Sequence, residues 1–229
     1  SDPDKPGEIT GTVFRTVHDQ TDENTAKEKR AFGGDVFGLG WYERPFDQQM
    51  GYMPFIDLKK VELNREDDNW IYVRIVVNGS IADGSSSNPM YGLEMDTDLD
   101  NRGEYMFLAS APRGTDWSTD GVKVLTSSDN LIGGNKPVLV DSTKPANKGY
   151  DTEIKDDQNL VWARQSPDDP NVIEFAFKKS FIGGKNGDFI WSPWAFAGDQ
   201  EFKNFDLNDY FTLEEAGSPL KEEGAFYPL

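Results

Sequence analysis

From Asn69 to Asn78 the chain places Ile71, Val73, Ile75 and Val77 in alternation with Tyr72, Arg74, Val76 and Asn78. Successive side chains of a strand point to opposite faces, so this period of two describes a strand with one face set against a core. Before it, Phe55 to Leu63 alternates less cleanly and runs into the polar turn Arg65-Glu66-Asp67-Asp68, which predicts a hairpin. Ile9–Val17, Tyr91–Met95, Tyr105–Ala109, Val122–Leu125, Val138–Val140, Leu160–Arg164, Val172–Phe177 and Asp188–Ile190 are further short strand candidates. Turn signals such as Arg113-Gly114, Gly133-Gly134, Pro167 to Pro170, Gly183-Gly184 and Asn186-Gly187 separate them.

Many short strands between Gly, Pro and Asn turns predict an all-β fold, an antiparallel two-sheet β-sandwich with long loops. Helical signals are few. Lys178 to Ile182 suits one turn, and Asn208 to Ala216, stopped by Gly217-Ser218-Pro219, suits a short C-terminal helix. Asp141 to Asp157 reads as a long surface loop. The domain organisation expected is a linker-like start over residues 1–8 and a single sandwich over 9–229. The 229 residues suit one such domain, large enough to bury a core without disulfide staples.

Charge and residue usage exclude several functions. The net charge is −18, spread over both halves, and such a surface repels nucleic acid and anionic membranes. No apolar run approaches the roughly 20 residues of a membrane span, so insertion is not expected. There is no cysteine and one histidine, His18, which removes thiol nucleophiles and Cys-rich zinc sites and leaves a Ser-His-Asp triad only if His18 serves it. No phosphate loop, nucleophile elbow or zinc-binding helix motif occurs.

One segment carries chemistry: Asp96-Thr97-Asp98-Leu99-Asp100-Asn101-Arg102-Gly103-Glu104. Calcium takes six to eight hard oxygen ligands, and aspartates at positions 1, 3 and 5 of a tight loop converge on one point. Position 7 offers the carbonyl of Arg102 and position 9 the carboxylate of Glu104. The segment departs from an EF-hand: position 6 is Asn101, position 12 is Phe107 and the flanks alternate as strands. Two readings follow, a structural Ca2+ loop with ligands Asp96, Asp98, Asp100, Arg102 and Glu104, or an exposed acidic turn of the kind Asp and Asn favour. Carboxylates this close repel one another unless a cation lies among them, and this favours calcium.

The hairpin with its polar turn, followed by Trp70-Ile71-Tyr72-Val73-Arg74-Ile75-Val76-Val77 and then Tyr91-Gly92-Leu93-Glu94-Met95-Asp96-Thr97-Asp98-Leu99-Asp100, resembles the core of the DOMON-like and family-nine carbohydrate-binding superfamily. The stretch Val172 to Ile182 resembles a later strand and turn of the same superfamily. The likeness spans roughly Phe55 to Phe196. The segments Gly40 to Phe46 and Asp206 to Leu220 also resemble uncharacterised domains of secreted bacterial proteins. The resemblance implies a jelly-roll-like sandwich that binds sugars, haem or other surface ligands, often with structural calcium. Haem is not expected here, because His18 lies outside the matching region and Met95 sits beside the aspartate loop.

Sugar sites stack C–H faces on Trp and Tyr. Trp70 and Trp162 fall within strand patterns and read as structural. Trp117 lies in the polar segment Gly114-Thr115-Asp116-Trp117-Ser118, and Trp191-Ser192-Pro193-Trp194 breaks the alternation, with Pro193 arguing against a central strand. Trp117, Trp191 and Trp194 are therefore the ligand-binding candidates, against packing under loops. Glu94 and Glu174 oppose their apolar neighbours in the alternation and are expected to face solvent, so no acid–base pair is assigned.

The function expected is a non-catalytic, extracellular calcium-binding module for carbohydrate or another cell-surface ligand. The alternatives are a structural subunit of a surface assembly, partnered by copies of itself or other surface proteins, and a secreted hydrolase.

Overall fold

The computed structural model describes residues 4–19, 21–23, 51–100, 103–111, 113–128, 150–183, 187–197 and, for the backbone alone, 204–207. Eleven strands occur among them: β1 Arg15–His18, β2 Leu58–Asn64, β3 Trp70–Val77, β4 Met90–Asp96, β5 Tyr105–Ser110, β6 Val122–Thr126, β7 Thr152–Glu153, β8 Val161–Gln165, β9 Val172–Lys178, β10 Ile190–Ala197 and β11 Asn204–Leu207. They form a five-stranded sheet in the order β1-β2-β3-β9-β8 and a six-stranded sheet in the order β11-β10-β4-β5-β6-β7. Every pairing is antiparallel. The fold is the all-β, two-sheet sandwich that the alternation predicts.

One parity of each central strand makes the core. Ile71, Val73, Ile75 and Val77 of β3 and Ile173, Phe175 and Phe177 of β9 meet Tyr91, Leu93 and Met95 of β4 and Phe107 and Ala109 of β5 in one buried cluster. The weaker alternation of β2 has a local cause. Its register against β3 shifts between Leu58 and Lys60, and this bulge lets Leu58, Val61 and Leu63 all reach the core.

Both outer faces are covered as well, which the alternation alone does not predict. The six-stranded sheet carries a second cluster on its outer face, with Met106, Leu108, Leu125, Tyr150, Trp194 and Phe196 buried together. The five-stranded sheet carries a third, built from Trp70, Tyr72, Ala176 and Trp117, with Ile9 and Trp162 packed against it.

Several expectations change. Residues 190–197 form a regular strand between β4 and β11. Pro193 lies opposite Leu93 of β4 within this strand. Tyr150, placed by sequence in a surface loop, is buried, and Thr152–Glu153 adds a short strand to β6. The single turn predicted near Lys178 to Ile182 is a 3-10 turn over Lys179–Ile182. The strand Val138–Val140, the helix Asn208–Ala216 and the segment Gly40–Phe46 lie outside the described residues.

Candidate metal centre

The hairpin β4–β5 places the acidic loop at one end of the six-stranded sheet. Asp96 closes β4, and the Glu104 N–H donates to the Met95 carbonyl at 2.8 Å as the chain returns toward β5. Asp96 lies on the same parity as Glu94, so its carboxylate belongs to the outer face, where it is fully buried. Its Oδ1 accepts the Leu99 N–H at 2.6 Å, and Asp98 Oδ1 accepts the Asp100 N–H at 3.1 Å. Leu99 takes the left-handed conformation at φ 66° within the loop. Asn101 and Arg102 lie outside the described residues.

The loop brings one carboxylate oxygen each of Asp96, Asp98, Asp100 and Glu104 within 4.8 Å of one another. Oxygens on a sphere of 2.3–2.6 Å radius lie at most about 5 Å apart, so the four can hold a single metal ion. Glu104 is tied into the loop by the Thr97 N–H at 2.5 Å and the Thr97 hydroxyl at 3.1 Å, both to its Oε2. Burial pushes the Glu104 carboxyl up; the Thr97 bonds oppose this, and the charges of Asp98 and Asp96 add to it.

Behind the loop is a group that sequence reasoning placed in solvent. Glu94 is completely buried, because the outer face of its sheet is covered. Its carboxylate accepts hydrogen bonds from the Tyr150 hydroxyl and from Trp194 Nε1, the latter at 3.1 Å. Burial pushes its pKa up to about 8; the two bonds pull it down and the nearby charges of Glu104 and Asp96 push it further up. Gly103 permits this packing, since a Cβ there would lie 2.0 Å from the Tyr150 oxygen and 2.8 Å from Glu94 Cγ.

Glu174 is likewise buried, on the outer face of the other sheet. There, Glu62, Arg74, Glu174 and Arg164 stand directly opposite one another on β2, β3, β9 and β8. They form a cross-strand row: Arg74 to Glu62 at 3.2 Å, Arg74 to Glu174 at 3.2 Å and Arg164 to Glu174 at 2.6 Å. The row continues to Glu8, whose two oxygens accept Arg164 Nη1 and Nη2 at 3.2 and 3.1 Å. The four strand residues are scattered through the chain, so only knowledge of the strand order could have found them.

None of the three tryptophans chosen from sequence is an exposed platform. Trp117 is buried; its Nε1 donates to the Gly7 carbonyl at 2.8 Å, and Arg164 stacks over its ring at 4.4 Å from the centroid. Trp194 is fully buried beside Glu94, and Trp191 packs half-buried against the main core. Met95 is a core residue, and His18 is exposed on β1.

Clefts open on the surface of the described residues. One, of about 370 Å³, lies where β6 meets β8 and has Val122, Val124 and Val161 on its floor and Asp120, Glu153 and Asp157 around it. Another, of about 210 Å³, lies between the segment containing Glu8 and the five-stranded sheet. Neither is lined by Glu94. Among the described residues no helix is long and apolar enough to cross a membrane.

Fold and loop together define the class: an all-β sandwich with an acidic cluster able to hold a metal ion. No family model, curated protein or solved structure matches the chain.

Proposed function

We propose that this protein is a non-catalytic, extracellular calcium-binding module that recognises carbohydrate or another cell-surface ligand. The observation that carries it is the convergence of four carboxylates, from Asp96, Asp98, Asp100 and Glu104, at the turn of one hairpin. Four acidic oxygens with no nitrogen or sulfur donor suit a hard cation, and the flexible coordination of calcium tolerates such a loop better than the strict octahedron of magnesium. The carbonyl of Arg102 and water complete the ligand set in this reading. Calcium there ties the β4–β5 turn and acts as a structural ion.

The likeness of β3, β4 and the aspartate loop to the DOMON-like and family-nine carbohydrate-binding superfamily supports a sugar ligand. A hydrolase is disfavoured by chemistry. A general acid must reach substrate, and Glu94, the carboxylate whose pKa burial raises to about 8, is completely buried. Surface assembly is the second reading, favoured by Val13, Phe14 and Val17, which lie exposed on or next to the strand β1.

A glycan-array screen of the purified protein in millimolar calcium, repeated with chelator, tests the proposal. A reproducible hit that chelator removes is the expected result. A clean negative in both conditions, with oligomers at high concentration, would transfer the assignment to surface assembly.

A further inference from the structure

We infer that Arg164, Trp117 and Tyr72 form a carboxylate-binding site on the outer face of the five-stranded sheet, closed in this structure by Glu8, and that its ligand is an acidic sugar. The inference rests on the carbohydrate reading above and names the ligand class and its seat.

The Arg164 side chain is only 5% exposed and is fixed on two sides, by the Trp117 ring and by Glu174. Its two Nη groups remain, and they point past the end of the cross-strand row. A planar guanidinium fork held this way is pre-shaped for the two oxygens of one carboxylate. Glu8 supplies that carboxylate, yet its own side chain is 75% exposed, and of the residues beside it only Pro6 is buried and Ile9 half-buried. A buried receptor is thus paired with an exposed anion, on a segment held by the bond from Trp117 Nε1 to the Gly7 carbonyl. Glu62, Arg74, Glu174 and Arg164 already balance in charge, so Glu8 satisfies the geometry of the fork and is not needed to neutralise the row.

Two further observations point to a ligand. The Tyr72 hydroxyl, in a residue 1% exposed, has no hydrogen-bond partner; the Gly7 backbone approaches it outside bonding geometry. The Tyr72 ring lies 5.8 Å from that of Trp117, so this unused donor belongs to the same cluster as the fork. Beside Glu8 is the cleft of about 210 Å³, whose polar lining includes Tyr72, Arg74 and Arg164 and the carboxylates Glu62, Asp168 and Glu174, acceptors for sugar hydroxyls. It persists with Glu8 in place. A glutamate side chain therefore fills the carboxylate position and leaves the polar cleft empty. A sugar ring bearing a carboxylate fills both, with its hydroxyls facing the polar lining. Glu8 then acts as a tethered competitor that keeps the seat closed until such a ligand displaces it.

The test uses the full chain and three probes, D-glucuronate, D-glucose and the acetylated, amidated peptide Pro-Gly-Glu-Ile, followed by NMR through the Trp117 indole N–H signal. Glucuronate should shift that signal and bind Glu8→Gln up to about fivefold more tightly than the unmodified protein, as expected if the tether closes roughly four sites in five. Tyr72→Phe, which keeps the ring, should weaken glucuronate binding severalfold. Equal affinity with and without Glu8, glucose binding as well as glucuronate, an unmoved Trp117 signal, or an unaffected Tyr72→Phe would each overturn the site. Tighter binding of the peptide would assign the seat to an acidic chain segment and overturn the sugar. A calcium-dependent hit on neutral glycans that ignores Glu8→Gln would leave the carbohydrate reading standing and remove this one.

Discussion

Arg164 Nε donates to Glu174 Oε2 at 2.6 Å between directly opposed residues of β8 and β9, with both side chains 5% exposed or less. Removing one partner of a buried pair leaves the other charge desolvated and uncompensated, which costs about 3–5 kcal/mol. Glu174→Ala should fall at the lower end, about 3 kcal/mol, because Arg164 keeps Glu8 and Arg74 keeps Glu62. Glu8→Gln should cost less than about 1 kcal/mol, since the Glu8 side is solvent-screened. Urea denaturation of the two variants checks the contrast, and equal losses would refute it.

Glu8 also gives a pH dependence. Hydrogen bonds from Arg164, then its charge, hold the Glu8 carboxyl below its ordinary value. A lowered folded pKa contributes stability above the unfolded value that is lost as pH falls through the folded one. Glu8→Gln should therefore match the unmodified protein in acid and fall slightly behind only above about pH 4.5.

Glu94 predicts the opposite sign. Its folded pKa, raised to about 8, means the neutral acid is the form the fold prefers. That stability is fully present below the unfolded value and is lost as pH rises through about 8. In chelator, the melting temperature should drop between about pH 5 and pH 8, and Glu94→Gln should flatten the drop. Identical slopes in the two proteins would show that Glu94 is not the group responsible.

Calcium at a hundredfold excess over its dissociation constant stabilises a folded-state site by about 2.7 kcal/mol. For a chain of this size that is a rise of roughly 5–10 °C in melting temperature. Asp98 is exposed, so Asp98→Ala should fold normally and lose the rise. A melt unchanged between calcium and chelator in the unmodified protein would refute the metal assignment.

Trp117 should behave as a packing residue in the free protein. Trp117→Ala removes the bond to Gly7, the stacking under Arg164 and the contact with Tyr72, and should cost about 3–5 kcal/mol. A loss below about 1 kcal/mol would place it on the surface instead.

The strands of the core were legible because hydrophobic period is a local property. Ile71 to Val77, Tyr91 to Met95 and Val172 to Phe177 each announce a face by themselves. The acidic loop was legible for the same reason: its carboxylates lie within nine residues. The burial of the tryptophans was not. Alternation says which parity a residue takes, and it says nothing of whether that face meets water or a second layer. Glu94 is on the outer parity as predicted, yet the outer face is covered, and both it and Trp194 are buried there.

By itself, then, the sequence determined an all-β sandwich, the inward parity of its strands and the acidic cluster that could hold a metal ion, because each is encoded over a few consecutive residues. Only the tertiary structure decided which charges meet. The strand order β2-β3-β9-β8 lines up Glu62, Arg74, Glu174 and Arg164, and the chain's early segment brings Glu8 to the end of that row. Contacts between residues a hundred or more positions apart depend on strand order and register, which local periodicity does not carry.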